Sequence, residues 1–157
     1  DEVLAYNNLE ADTGLTVGDE LIIPGGVVKT VASSAGGGGS TAAGWLLYPL
    51  PGSKKSQGIH GYNGVDLAGV PTGSTVRAAA GGTVVVARSG GWNGGYGSYV
   101  VIKHANGVQT LYAHLSSVEV TQGETVSQGD RIGGVGSTGK STGIHLHFEV
   151  RGGKNPF

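Results

Sequence analysis

From Trp45 onward the chain is a succession of short β-branched runs broken by glycine, asparagine or proline, and that punctuation confines it to strands and tight turns. Glycine supplies 32 of the 157 residues. Much of it falls between the runs 75–78, 83–88, 98–103, 108–113, 118–120, 131–133 and 145–150, each of which reads as a strand. Asn106-Gly107, set between Val100-Val101-Ile102 and Val108-Gln109-Thr110-Leu111, is a strong hairpin signal. No segment here sustains a helical period. The expectation is an all-β, antiparallel, glycine-rich domain.

The last of these runs carries chemistry. In His145-Leu146-His147-Phe148-Glu149-Val150-Arg151, apolar Leu146, Phe148 and Val150 alternate with polar residues, as on a strand with one buried face. His145 and His147 then project from the same side, about 6 to 7 Å apart. One imidazole can bind a metal while the other stands over a water on that metal. The chain holds five histidines and no cysteine, so thiolate ligands, disulfides and a cysteine nucleophile are excluded. Any metal must rest on His, Asp or Glu, a donor set that favours Zn²⁺.

Charge narrows the partners. A formal net charge of -1 and a pI near 6.6 give no electrostatic footprint for nucleic acid or an acidic membrane. No apolar stretch approaches the roughly 18 residues of a membrane span, and no charged-then-apolar leader is present. Methionine is absent, so the chain is expected to be a processed or trimmed piece. A monomer is expected.

Composition divides the chain into three segments. Residues 1–26 end in Leu15-Thr16-Val17-Gly18-Asp19-Glu20-Leu21-Ile22-Ile23-Pro24 after an Asn7-Asn8 stop. This resembles the closing half of a LysM peptidoglycan-binding module. Residues 27–44 form a linker whose stretch from Ala32 to Gly44 has too little apolar area to order itself, so it reads as a flexible tether. Such a tether raises the local concentration of an attached domain on a polymeric substrate. Residues 45–157 are the β-rich domain.

Three further residues are candidates for the site. His60 lies in Ile59-His60-Gly61-Tyr62-Asn63-Gly64-Val65-Asp66-Leu67, Asp66 begins a strand at a half-buried position, and His114 closes Leu111-Tyr112-Ala113-His114. A half-buried carboxylate needs a partner, either a metal or a backbone turn bond. The block Gly136-Ser137-Thr138-Gly139-Lys140-Ser141-Thr142-Gly143-Ile144-His145-Leu146-His147-Phe148-Glu149-Val150 resembles the closing signature of the LytM/lysostaphin-type zinc peptidases, family M23. Val65-Asp66-Leu67, the Pro71-Thr72-Gly73 turn and Tyr112-Ala113-His114-Leu115 match that family's other blocks in order. The resemblance covers roughly residues 45 to 157 and implies an M23-like fold with an open active-site groove.

It further implies one zinc ion held by an upstream histidine, Asp66 and His147, with His114 and His145 flanking the bound water. The family's usual His-x-x-x-Asp spacing places Tyr62 where the first ligand would stand. His60, two residues earlier, is the favoured ligand, reached by a bulge or loop at Gly61-Tyr62-Asn63, and Tyr62 is the alternative. The implied activity is zinc-dependent endopeptidase cleavage of peptide cross-links in bacterial peptidoglycan, at an extracytoplasmic site. A catalytically inactive wall-binding or amidase-activating domain is the competing reading. His104 reads as a structural residue at a hairpin end. Glu149 reads as an acceptor for His147 or as a solvated edge carboxylate. Trp45, Tyr48, Trp92 and Tyr96 read as groove liners or as anchors of long turns.

Overall fold

In residues 45–157, the part of the chain that the computed structural model describes, the alternating pattern resolves into nine antiparallel strands. They are β1 (Lys54–His60), β2 (Gly64–Ala68), β3 (Thr75–Arg77), β4 (Gly82–Arg88), β5 (Ser98–Lys103), β6 (Gln109–Val118), β7 (Thr125–Val126), β8 (Arg131–Val135) and β9 (His145–Arg151). The main sheet runs β1-β2-β9-β6-β5-β4-β7, and β8 joins β6 to β3. Among the described residues the only helical element is a short 3₁₀ turn, Asn93–Gly95. The LysM-like segment and the linker lie outside the described residues.

Most of the expected strands are present with shifted ends. The run 118–120 does not form its own strand, because Val118 closes the long β6. β1 was not among the expected runs, and β2, expected as a strand beginning at Asp66, starts at Gly64. Lys54–His60 is polar and almost wholly exposed, so it carries no apolar alternation by which to recognise it. It is a strand because β2 lends it a hydrogen-bonding edge.

The sheet has two unlike faces. Val65 and Leu67 of β2, Leu146, Phe148 and Val150 of β9, and Tyr112 of β6 point into the main core. Leu46 and Leu50, from the segment that enters the domain, are buried there too. Trp45 packs edge-on against His104 and Tyr48 against Phe157, so both aromatics belong to the core side. The opposite face carries a smaller cluster of Tyr99, Val101, Leu111 and Ala113, with Tyr96 against it. Period-two alternation places Asp66, His145, His147 and Glu149 on that second face.

Under the main core a polar chain links two loops. The Ala79 amide donates to the Tyr112 hydroxyl at 2.8 Å. Burial pushes Tyr112 up to about 12, so its hydroxyl stays protonated and donates to Thr110 Oγ1 at 2.8 Å. Thr110 in turn donates to His104 Nε2 at 2.8 Å, and His104 Nδ1–H donates to the Gly81 carbonyl at 2.9 Å. Every donor has one acceptor, and the order leaves His104 neutral. This agrees with its expected structural role at the β5–β6 hairpin.

Burial holds His104 below its ordinary value, although the Gly81 carbonyl pulls the other way. A folded histidine that protonates less readily than the unfolded chain makes stability rise with pH. That contribution is complete above about 6.5, the ordinary histidine value, and is lost as pH falls below it. His104→Gln should therefore flatten the acid limb of the melting temperature against pH. Parallel curves for the two proteins, measured by thermal denaturation between neutral and mildly acid pH, would show that His104 is not a titrating brace.

Candidate metal and catalytic site

The site begins with strand register. β2 pairs with β9 so that Asp66 faces His147 and Ala68 faces His145. Both histidines and the aspartate therefore share one face across two neighbouring strands. β1 pairs with β2 on the other side, with His60 opposite Gly64. His60 thus lies diagonal to Asp66 on the same face. Two register shifts in β1, between Lys55 and Gln57 and between Gln57 and His60, absorb the extra residues of the His60–Asp66 spacing. The irregularity lies within the strand and not, as expected, only in the turn. Asn63, at φ 60°, completes that turn and donates its side-chain amide to the Val150 and Gly153 carbonyls.

One ligand atom from each of His60, Asp66 and His147 lies within 4.8 Å of the others. His60 Nε2 is 3.4 Å from Asp66 Oδ1, and His147 Nδ1 is 2.8 Å from the same oxygen. A tetrahedral zinc with bonds of about 2.0–2.1 Å needs donors about 3.3 Å apart, so the set fits this ion with little adjustment. Two imidazoles and one carboxylate also match the donor chemistry of a catalytic zinc site with an open fourth position.

Hydrogen bonds assign the tautomers. Nδ1–H of His60 donates to the Gly58 carbonyl at 2.8 Å, that of His114 to Thr138 at 2.7 Å, and that of His145 to Gly143 at 3.0 Å. Each of these rings presents a bare Nε2. His147 is reversed: its Nε2 donates to Glu149 Oε1 at 3.0 Å, leaving Nδ1 toward Asp66. Glu149 is 1% exposed and so is the buried acceptor of the two readings open for it. Its Oε2 accepts from Arg151 Nε at 2.7 Å.

Electrostatics follow this geometry. Burial opposes charge on Asp66, but the His147 hydrogen bond and the positive field of His147, His145 and His60 outweigh it and lower its carboxyl below the ordinary value. Burial likewise opposes a charged His147, yet Asp66 and Glu149 together raise it to about 9. His114 goes the other way. Burial, reinforced by His145 and His147, lowers it to about 4 against the opposing pull of the Thr138 carbonyl and Asp66. His114 is neutral at physiological pH.

His114 reaches the site at a conformational cost. Its φ is +61°, a left-handed conformation that costs a non-glycine residue about 1–3 kcal/mol. It sits where β6 runs four residues, Tyr112 to Leu115, against three of β5, Ser98 to Val100. That bulge turns its ring toward His145, with centroids 4.7 Å apart. Its amide is held by the Tyr96 carbonyl at 2.9 Å. Gly97, at φ +66°, lets the 90–97 loop press on Thr138, because a Cβ there would lie 2.5 Å from the Thr138 backbone.

All five residues expected at the site, His60, Asp66, His114, His145 and His147, converge here. Sequence reasoning did not find Tyr96 and Arg151 as partners of Glu149. Arg151 was visible as the next same-face position of β9. Tyr96, read as a groove liner or turn anchor, arrives from a loop 53 residues away, and nothing in its local sequence points to Glu149. Trp92 stays 61% exposed on that loop.

Comparison with known proteins follows the same outline. Residues 60–157 match the profile of peptidase family M23. The chain is 53% identical over 90 residues to the DD-carboxypeptidase/endopeptidase Mpg of Neisseria meningitidis, covering 57% of this chain and 20% of that protein. It is 46% identical over 89 residues to the peptidoglycan DD-endopeptidase ShyA of Vibrio cholerae, covering 57% and 20%. The chain thus spans about a fifth of the length of these curated relatives. Among solved structures, a zinc containing peptidase from Vibrio cholerae superposes with a TM-score of 0.60 at 33% identity, over 66% of this chain and 35% of that one. Lysostaphin from Staphylococcus simulans does so with a TM-score of 0.56 at 36% identity, over 62% and 42%.

Gly64 offers a direct test of the packing around His147. A Cβ at this position would stand 2.6 Å from Cε1 and 2.9 Å from Nε2 of that ring. Gly64→Ala should therefore displace the imidazole and weaken zinc binding at least tenfold, as read by competition with a chromophoric chelator. Unchanged affinity would mean that the ring has room to move without loss.

Proposed function

Because the chain belongs to peptidase family M23, we propose that it is a zinc-dependent endopeptidase that hydrolyses peptide cross-links of bacterial peptidoglycan. The observation that carries this reading is the convergence of a His60–Asp66–His147 donor set with two further imidazoles, His114 and His145, whose bare Nε2 atoms face it. The printed names of Mpg and ShyA support the substrate class. A complete constellation favours an enzyme over the non-catalytic wall-binding or amidase-activating alternative.

His60, Asp66 and His147 would hold the ion. Bound there, zinc would polarise a carbonyl and lower the pKa of its water toward ~7. His145 is the general base: its Nδ1–H is committed to Gly143, so Nε2 is free to take a proton from the attacking water. As the water oxygen bonds to the peptide carbon and the C–N bond breaks, His145 returns that proton to the leaving nitrogen. The products are a carboxylic acid and an amine, and the acid's proton, the second of the water, then passes to the amine to leave a carboxylate and an ammonium. His114, neutral and with its Nδ1–H on Thr138, offers a second acceptor in the resting state. It becomes a donor to the developing oxyanion only after gaining a proton at Nε2. Glu149 keeps His147 Nδ1 directed at the ion.

The N-terminal segment fits the same purpose. A LysM-like ending at 1–26 and a glycine-rich tether at 27–44 would keep the peptidase on its polymer, outside the cytoplasm.

The reading is tested on purified murein with muropeptide chromatography. Cross-linked dimers should disappear with the zinc-loaded protein, persist with chelator, and disappear again when zinc is restored. His145→Ala should retain zinc but lose about 10²- to 10⁴-fold in turnover. His60→Ala should abolish zinc retention, and Tyr62→Phe should leave it nearly unchanged. The reverse pair of results would move the ligand to Tyr62. Wild-type protein that takes up no zinc would rule the enzyme out.

A further inference from the structure

Tyr96 is neither a metal ligand nor a proton carrier, yet it touches both halves of the site. Its backbone carbonyl holds the His114 amide at 2.9 Å. Its hydroxyl donates to Glu149 Oε1 at 2.8 Å, the same oxygen that receives His147 Nε2–H. Arg151 NH2 donates to the Tyr96 oxygen at 3.1 Å, while Nε of the same guanidinium donates to Glu149 Oε2 at 2.7 Å. Tyr96, Glu149 and Arg151 therefore close a ring of hydrogen bonds behind His147.

We propose that Tyr96 is a positioning residue for the metal site, fixing the His147 imidazole through Glu149 and, by its own backbone, tying His114 to the same support. The proposal rests on the ligand role given to His147 above. Glu149 has two ways to turn its carboxylate, and only the one seen here presents Oε1 to His147 Nε2. Arg151 alone grips Oε2 through Nε and leaves Oε1 to pivot. The Tyr96 hydroxyl is the second point that stops the pivot. The tilted contact of its ring with Tyr99, centroids 5.5 Å apart, anchors the phenol within the smaller apolar cluster.

A one-atom deletion isolates this role. Tyr96→Phe removes the donor to Glu149 and keeps the backbone bond to His114. Loss of such an outer hydrogen bond typically weakens metal affinity about 10- to 100-fold, so the variant should bind zinc at least tenfold more weakly than wild type in chelator competition. Its cobalt-substituted form should show a shifted visible absorption band. Tyr112→Phe is the control: it also deletes a buried hydroxyl, here bonded to Ala79 and Thr110 on the opposite face, so it should lower the melting temperature without changing zinc affinity or the cobalt band.

Glu149→Gln, which keeps the volume and removes the charge, should weaken zinc at least as much, and it replaces Tyr96→Phe as the decisive variant should the latter fail to fold. Wild-type affinity in a folded Tyr96→Phe protein, or in Glu149→Gln where that stands in for it, would overturn the proposal. An equal loss in Tyr112→Phe would reduce it to a general stability effect and overturn it as well. If wild type itself binds no zinc, the ligand assignment falls first and the positioning role falls with it.

Discussion

Asp66 stands directly opposite His147 across the β2–β9 ladder, and everything at the site depends on that register. A slip of β2 by one residue would send Asp66 into the apolar core and bring Val65 or Leu67 to the opposite face. The apolar alternation on the far face therefore protects the chemistry on the near one. Val65, Leu67, Leu146 and Phe148 are all fully buried, so the sheet cannot slip without losing its core. Metal-ligand geometry here is inherited from hydrophobic packing.

Given that register, backbone carbonyls divide the labour among four similar rings. His60, His114 and His145 each spend Nδ1–H on a nearby backbone carbonyl and offer Nε2 inward. His147 spends Nε2–H on a buried carboxylate and offers Nδ1. A ring backed by a carboxylate is a stronger electron donor than one backed by an amide carbonyl, which suits the most enclosed ligand. Environment then separates the charge states: the two carboxylates raise His147, whereas burial lowers His114. The same side chain thus serves as ligand in one place and as proton acceptor in another.

Much of this was legible in the sequence, for definite reasons. The His145–His147 pair announced itself because alternation with Leu146 and Phe148 fixes both the strand and the face. Asp66 and His114 stood out once their blocks were read together, and the Asn106-Gly107 hairpin followed from turn chemistry. His60 was reachable as the nearest histidine, but the means by which it arrives was not. Bulges in an exposed, polar strand such as β1 leave no period to read. Tyr96 was hidden for another reason. Its role depends on one loop and two strands, β6 and β9, meeting in space, and no spacing along the chain encodes that. The positive φ of His114 was equally silent, since only the β5–β6 mismatch demands it.

The central claim is that one zinc sits among His60 Nε2, Asp66 Oδ1 and His147 Nδ1. A crystal of the zinc-loaded protein, with anomalous scattering measured at the zinc edge, tests it most directly. The account predicts a single strong peak at about 2.0–2.2 Å from each of those three atoms. His145 and His114 Nε2 should then face its open side without bonding to it. A peak ligated by Tyr62 in place of His60, or by the Nε2 of His147, would contradict it.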